Sequence, residues 1–160
     1  MKAEFNNTVS ILVKGYLSGT LYKGSCAACA VGNICAAALG VQVDPSDLSD
    51  NGWVDSEEGP MWHHLFMTNA GGWQNRFYQQ EDFEPELICN QMGIEQAQKT
   101  GYTVSDLARI EKAFEGAELG YNDEASYAGL MAVVDVLADI HGIDLATAEV
   151  AKRLFAKEPA

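Results

Sequence analysis

Apolar residues recur every three or four positions along most of the chain, and this spacing lines up one face of an α-helix. The clearest example follows Thr103, where Leu107, Ile110 and Phe114 form an apolar stripe. Thr103 and Asp144 stand where helix N-caps are expected. The spacing predicts helices near residues 8–18, 26–39, 84–98, 104–118, 124–141 and 145–156. The pattern therefore indicates a mostly α protein of about five to six helices.

The ends of the first two helices are predicted from local capping signals. Asn6, Asn7 and Thr8 precede the first apolar stripe and are expected to cap it. Ser25 is the expected N-cap of the second helix, and Gly40 is its expected stop.

The middle of the chain departs from the helical period. Residues 43–58 are rich in Pro, Asp, Ser, Asn and Gly, which favours turns. Two strand-like runs then flank the turn-rich residues 69–72, so a small β-hairpin is predicted at about residues 65–78. Trp53, Trp62 and Trp73 all lie in this third of the chain. They supply either buried area or the wall of a ligand site.

Length and charge narrow the class of protein. A chain of 160 residues is expected to form a single domain, residues 1–160. The formal net charge of −13 argues against direct binding to nucleic acid, which requires a cationic face. The same charge favours solubility and complements a basic partner protein. Neither a membrane-spanning apolar run nor a signal peptide is recognisable, so a cytoplasmic location is expected.

Three of the four cysteines lie close together in one Ala-rich segment, at Cys26, Cys29 and Cys35. This clustering is unlike a secreted disulfide framework, so reduced thiols are expected. Helical spacing puts Cys26, Cys29 and Asn33 on one face. A helix N-terminus presents unpaired N–H groups that hold an anion or lower a thiol pKa. The predicted ligand-binding residues are Ser25, Cys26, Cys29, Asn33, Trp53, Trp62 and Trp73.

Two alternatives use the same cysteines. Cys26 and Cys29 have the separation common in structural zinc sites, but a second paired motif is missing, so packing is favoured over metal binding. A cysteine hydrolase would take Cys26 or Cys29 as nucleophile, although no local signature accompanies them. The zinc site would be completed by His63, His64, His141 or Cys89. The hydrolase would take one of the same three histidines as base and Asn33 or an aspartate to orient it.

Acidic residues beside two of the apolar stripes are interpreted as a solvated face. The Glu-x-x-His repeats of a di-iron bundle are missing from the chain. The residues concerned are Glu111, Glu115, Asp135 and Asp139.

Three segments carry a resemblance to a known family. They read CAACAVGNI at 26–34, GYTVSDLARIEKAFE at 101–115 and GLMAVVDVL at 129–137. They resemble a family of small uncharacterised proteins from bacteria and their phages. Some members carry an automatic label as the iron–sulfur and flavin subunit of the sodium-translocating NADH-quinone reductase. A plant-type cluster needs C-x4-C-x2-C in a loop, whereas the order here is C-x2-C-x5-C. No cofactor is therefore expected.

These observations predict a non-enzymatic binding protein. Its expected ligand is small and anionic or nucleotide-like, held at the start of the cysteine helix. The resemblance implies a phage-borne role in host takeover or counter-defence, in the cytoplasm of the bacterial host. The alternative partner is a basic host protein bound by an acidic inhibitor.

Overall fold

The computed structural model describes residues 2–23, 25, 27–48, 52–57, 59–60, 91–116 and 123–156. The helices in this part of the chain are α1 Lys2–Ser18, α2 Ala30–Leu39, α3 Gln91–Lys99, α4 Val104–Gly116, α5 Asp123–His141 and α6 Leu145–Ala156. The strands are β1 Gln42–Val43 and β2 Trp53–Val54, which pair antiparallel. The predicted mostly α class with a small β-hairpin is confirmed.

Apart from Gln42, the residues of the two strands lie in segment 43–58, which is predicted to form turns. Gln42 stands opposite Val54, and Val43 stands opposite Trp53. Each strand has only two residues, which are too few to show the alternation of apolar and polar positions that identifies a strand in a sequence. The hairpin predicted at 65–78 lies outside the described residues and stays a prediction.

Helix α2 lies at the centre of the described helices. It packs against α1, α3 and α4, while α5 packs against α1, α4 and α6. Residues 30–36 of α2 are all buried, so its first two turns have no solvent-facing side. A helix that is apolar all round in this way is a core helix. The largest buried apolar side chains of the core are Phe5, Leu12, Leu107, Ile110, Phe114, Leu130 and Leu137.

Three predicted helix ends are confirmed. The Thr103 hydroxyl accepts a hydrogen bond from the Asp106 amide at 3.0 Å and caps α4. The Asp144 carboxylate accepts one from the Thr147 amide at 2.7 Å and caps α6. Gly40 ends α2 in a left-handed conformation.

The predicted start of α1 is wrong. The helix begins at Lys2 and not after Asn6–Asn7–Thr8, so these three residues lie within it. Phe5 explains the difference, because its ring is fully buried and meets the His141 ring edge-on at 6.4 Å. Burial of an aromatic ring in the tertiary structure outweighs local capping preference.

Helices α4 and α5 approach closely at Gly129. A Cβ atom built there would lie 2.6 Å from Cδ1 of Phe114 and 2.7 Å from its carbonyl oxygen. The missing side chain therefore lets the backbones meet. Among the described helices, none is both long and apolar enough to cross a membrane.

Candidate functional site

Four of the seven predicted site residues lie in the described part of the chain. Ser25, Cys29, Asn33 and Trp53 are all buried and surround the start of α2. The other three, Cys26, Trp62 and Trp73, lie outside the described residues. The structure thus brings the four together, and their hydrogen bonds define what each does.

The cysteine helix begins four residues later than predicted. Cys29 is the N-cap of α2, with an extended backbone at φ −70° and ψ 178°, and its sulfur accepts a hydrogen bond from the Gly32 amide at 3.3 Å. Ser25 is not the helix N-cap. Its hydroxyl accepts from the Ala28 amide at 3.2 Å and closes a separate turn. The extended Cys29 breaks the continuity between that turn and the helix.

One of the amides at this helix start is already bonded within the protein. The Gly32 amide, one of the first-turn donors that an anion would use, is already bonded to Cys29. Residues 27–30 are fully buried. The small residues at this end therefore pack into the core, whereas the sequence predicts unpaired N–H groups there that hold an anion.

Trp53 is also part of the packing around the helix start. Its indole N–H donates to the Ala27 carbonyl oxygen at 3.2 Å, and the residue is 4% exposed. A buried tryptophan usually finds such a partner. Trp53 thus fastens β2 to the turn before α2.

Asn33 has the most constrained polar side chain in this region. Its amide nitrogen donates to the carbonyl oxygens of Thr20 at 2.8 Å, Ala28 at 2.9 Å and Cys29 at 3.1 Å. Turning the amide over would bring its oxygen against three carbonyl oxygens. The orientation of the Asn33 amide is therefore determined by its neighbours.

The other end of the same amide faces α1 at Gly15. A Cβ atom at Gly15 would come within 2.5 Å of Oδ1 of Asn33. Glycine inside a helix is unfavourable by about 0.5–1 kcal/mol relative to alanine, so its presence at this position reflects the close approach of Asn33. Sequence reasoning missed Gly15, and the glycine within the α1 apolar pattern was the available signal.

Asn33 and Gly15 lie in the wall of an open groove between α1, α2 and β1, with a volume of about 460 Å³. This volume falls in the range of about 300–1,000 Å³ that is usual for small-molecule sites. The polar residues that line it are Lys14, Ser18, Thr20, Asn33 and Gln42. The larger apolar ones are Ile11, Val41, Val43 and Pro45. No described residue donates a hydrogen bond to the Oδ1 atom of Asn33.

The electrostatics of this groove differ from those of the whole chain. The chain carries 23 acidic residues, yet none of the twelve described residues that line the groove is acidic. Lys14 is the cation among them. The nearest carboxylate in sequence, Asp44, accepts hydrogen bonds from the amide and hydroxyl of Ser46. These bonds hold the pKa of Asp44 below its usual value.

The two described thiols are structural. Cys29 and Cys35 are both buried, and both lie outside any disulfide bond. Burial, together with the nearby Glu111 carboxylate, raises the pKa of the Cys35 thiol. A reactive cysteine needs the opposite environment, one that is exposed and electropositive.

Glu111 corrects the interpretation of a solvated acidic face. The residue is 1% exposed, and its Oε1 atom has no hydrogen-bond partner among the described residues. Burial raises the pKa of Glu111 well above its usual value, and the Glu115 charge adds to the rise while a hydrogen bond with Cys29 opposes it. The signal was its spacing, because Glu111 lies four positions after Leu107 and so on the apolar stripe.

His141 lies in a second polar cluster. The Tyr102 hydroxyl bonds to Nε2 of His141 at 2.7 Å and to the Thr8 hydroxyl at 2.6 Å. Burial lowers the pKa of His141, while the carboxylates of Glu4 and Asp106 act in the other direction. The described partners of this histidine are thus Tyr102 and Phe5, and neither is a thiol.

The zinc alternative gains no support from the described part of the chain. No group of three histidine, cysteine or acidic residues there is arranged to hold a metal ion. The other residues named for that site, Cys26, Cys89, His63 and His64, lie outside the described ranges.

Comparison with known proteins returned no relative. No protein-family model, curated protein or solved structure matches the chain.

Proposed function

We propose that the protein is a non-enzymatic binding protein whose ligand is a small anion held in the groove between α1, α2 and β1. The observation that carries the proposal is that no described residue donates a hydrogen bond to the Oδ1 atom of Asn33. The residue is 7% exposed, and its orientation is fixed by three hydrogen bonds at the nitrogen. A fixed acceptor in the wall of a groove is a feature of binding sites, where a few placed polar groups orient the ligand.

The charge of the groove supports an anionic ligand. Lys14 lines it, and none of its described lining residues is acidic. Elsewhere the excess of carboxylates repels anions, because the chain carries a net charge of −13. The groove is thus the described cavity best suited to a negatively charged molecule.

The same residues favour binding over catalysis. General acid–base chemistry uses groups that exchange a proton near neutral pH, most often histidine or a carboxylate. The described lining of the groove has lysine, serine, threonine, asparagine and glutamine as its polar residues. These types orient and hold a ligand without such an acid–base pair.

The test blocks the groove without disturbing the core. Ala37 is exposed, lines the groove and lies on α2, so Ala37→Leu fills the groove with a good helix former. Ala38→Leu is the matched control, because Ala38 is also exposed on α2 but does not line the groove. Native mass spectrometry and thermal shift against nucleotides and sugar phosphates identify compounds that bind the wild-type protein.

The expected result is a compound that binds wild type and Ala38→Leu equally and Ala37→Leu at least about tenfold more weakly, a loss of about 1.4 kcal/mol. Both variants should melt within about 2 °C of wild type, as surface substitutions usually do. A screen without any binder, or a binder that Ala37→Leu leaves unaffected, would overturn the proposed function.

A further inference from the structure

Resting on the proposed function, the geometry points to a ligand class: small anions that carry a ring N–H donor for Asn33 beside the charged group for Lys14. An asparagine amide normally offers both a donor and an acceptor, so it tolerates either in a ligand. Here the donor end already serves three carbonyl oxygens. Only the acceptor end is left for a ligand.

The amide cannot adapt to a ligand of the opposite polarity. Rotation by 180° would give up all three hydrogen bonds and place Oδ1 against the oxygens of Thr20, Ala28 and Cys29. Nor can the side chain withdraw toward α1, because Gly15 lies so close that a single Cβ would meet Oδ1 at 2.5 Å. Asn33 therefore selects for a donor.

A ligand without a donor would bury Oδ1 unpaired. Leaving a buried acceptor unsatisfied weakens binding by about 10- to 100-fold. Sites built to hydrogen-bond a substrate group reject analogues that lack it for the same reason. The donor requirement is thus the main source of selectivity in the groove.

The anionic group is assigned to Lys14, which lies one residue before Gly15 on α1. Lys14 is exposed and forms no ion pair with a described carboxylate. The apolar side chains of Ile11, Val41 and Val43 complete a surface suited to a flat ring. A ring bearing an N–H group and a phosphate, as in a nucleoside monophosphate, has this combination of features.

The experiment uses pairs of nucleotides that differ by a single methyl group. Uridine 5′-monophosphate is compared with its N3-methyl derivative, and guanosine 5′-monophosphate with its N1-methyl derivative. Each methyl group removes one ring N–H donor. Uridine, which lacks the phosphate, completes the set, and affinities are measured by calorimetry on the full chain.

Two variants test the charged group. Lys14→Gln removes the cation from the groove, and Lys112→Gln, on exposed α4 surface outside it, is the matched control. We expect at least one nucleotide to bind at least about tenfold more tightly than its methylated derivative. Lys14→Gln should lower the affinity for the nucleotide toward that for uridine and make nucleotide binding less dependent on salt. It should not change the affinity for uridine. Lys112→Gln should change none of these quantities.

The outcomes separate the inference from the proposed function. If methylated and unmethylated nucleotides bind equally, or if the groove takes other compounds but neither nucleotide, the ligand class is wrong and the binding function stands. If neither these probes nor any compound of the wider screen binds in a way that Ala37→Leu blocks, both fail. An affinity for nucleotides that Lys14→Gln does not change overturns the assignment of the anionic group.

Discussion

Two buried polar side chains differ in how completely their hydrogen-bonding groups are used. Asn33 has its amide nitrogen bonded to three carbonyl oxygens, so burying that end is compensated. Glu111 is equally buried but has one oxygen without a partner among the described residues. The first arrangement rigidifies the wall of the groove, whereas the second makes the core sensitive to protonation.

Glu111 predicts a loss of stability as the pH rises. Its pKa in the folded protein lies above the ordinary value of 4.5, so the folded state favours the neutral carboxyl. The contribution to stability is complete below pH 4.5 and is lost as the pH rises toward the folded pKa, by about 1.4 kcal/mol per pH unit. Glu111→Gln has no proton to lose. It should therefore melt increasingly above wild type as the pH rises from 4.5 toward the folded pKa of Glu111.

The control for this experiment is Glu124→Gln, which removes an exposed carboxylate from α5. Its melting temperature should follow that of wild type at each pH. The measurement is thermal unfolding followed by circular dichroism across the pH series. A difference between Glu111→Gln and wild type that does not change with pH would contradict the buried, neutral carboxyl.

At the scale of elements, the contact between α4 and α5 depends on one missing side chain. Gly129→Ala adds a methyl group 2.6 Å from the Phe114 ring and 2.7 Å from its backbone oxygen. Overpacking costs up to about 3 kcal/mol, against roughly 1 kcal/mol that alanine gains in helix propensity, and the clash with a backbone oxygen leaves little room to relieve it. The variant should therefore melt at a lower temperature than wild type.

Gly116→Ala is the matched control on the partner helix. A Cβ atom there would meet nothing within 4 Å, so only the helix propensity changes. This variant should melt at the wild-type temperature or slightly above it. Equal destabilisation by the two substitutions would show that the α4–α5 contact does not depend on Gly129.

Helix ends show how far local sequence carries the prediction. The caps at Thr103 and Asp144 are correct because a capping hydroxyl or carboxylate acts on an amide three residues away. The predicted starts of α1 and α2 are wrong because contacts with residues distant in the sequence determine where these helices begin. Phe5 is drawn into the core beside His141, and Cys29 takes an extended conformation where Trp53 fastens the preceding turn.

The candidate site likewise has a part that the sequence predicts and a part that it does not. Asn33 was recognisable from the sequence, since helical spacing puts it on one face with Cys26 and Cys29. Its partners were not, because the Thr20 oxygen lies thirteen residues away and Gly15 belongs to another helix. Which way a buried amide points follows from tertiary contacts that spacing along one helix does not contain.

At the scale of the whole molecule, a network of two hydrogen bonds at the Tyr102 hydroxyl joins distant parts of the sequence. Tyr102 precedes α4, and its hydroxyl bonds to Thr8 on α1, 94 residues away, and to His141 at the end of α5, 39 residues away. These bonds add directional contacts where the apolar core ends, because Thr8 and His141 lie beside the buried Phe5 ring. Such a network fixes how the helices meet.

Tyr102→Phe is predicted to loosen this junction. The substitution keeps the ring against His141 but leaves the buried Thr8 hydroxyl and Nε2 of His141 without this partner. The expected cost is about 1–2 kcal/mol, or a fall of roughly 2–8 °C in melting temperature for a chain of this size. Hydrogen exchange should quicken in the first two turns of α1 and the last turn of α5.

Tyr127→Phe is the control, since it keeps the ring contact with Tyr16 at 5.8 Å and alters neither end of the network. Unchanged exchange in Tyr102→Phe, or an equal loss of stability in both variants, would mean that the apolar core alone holds α1 and α5 to the segment before α4.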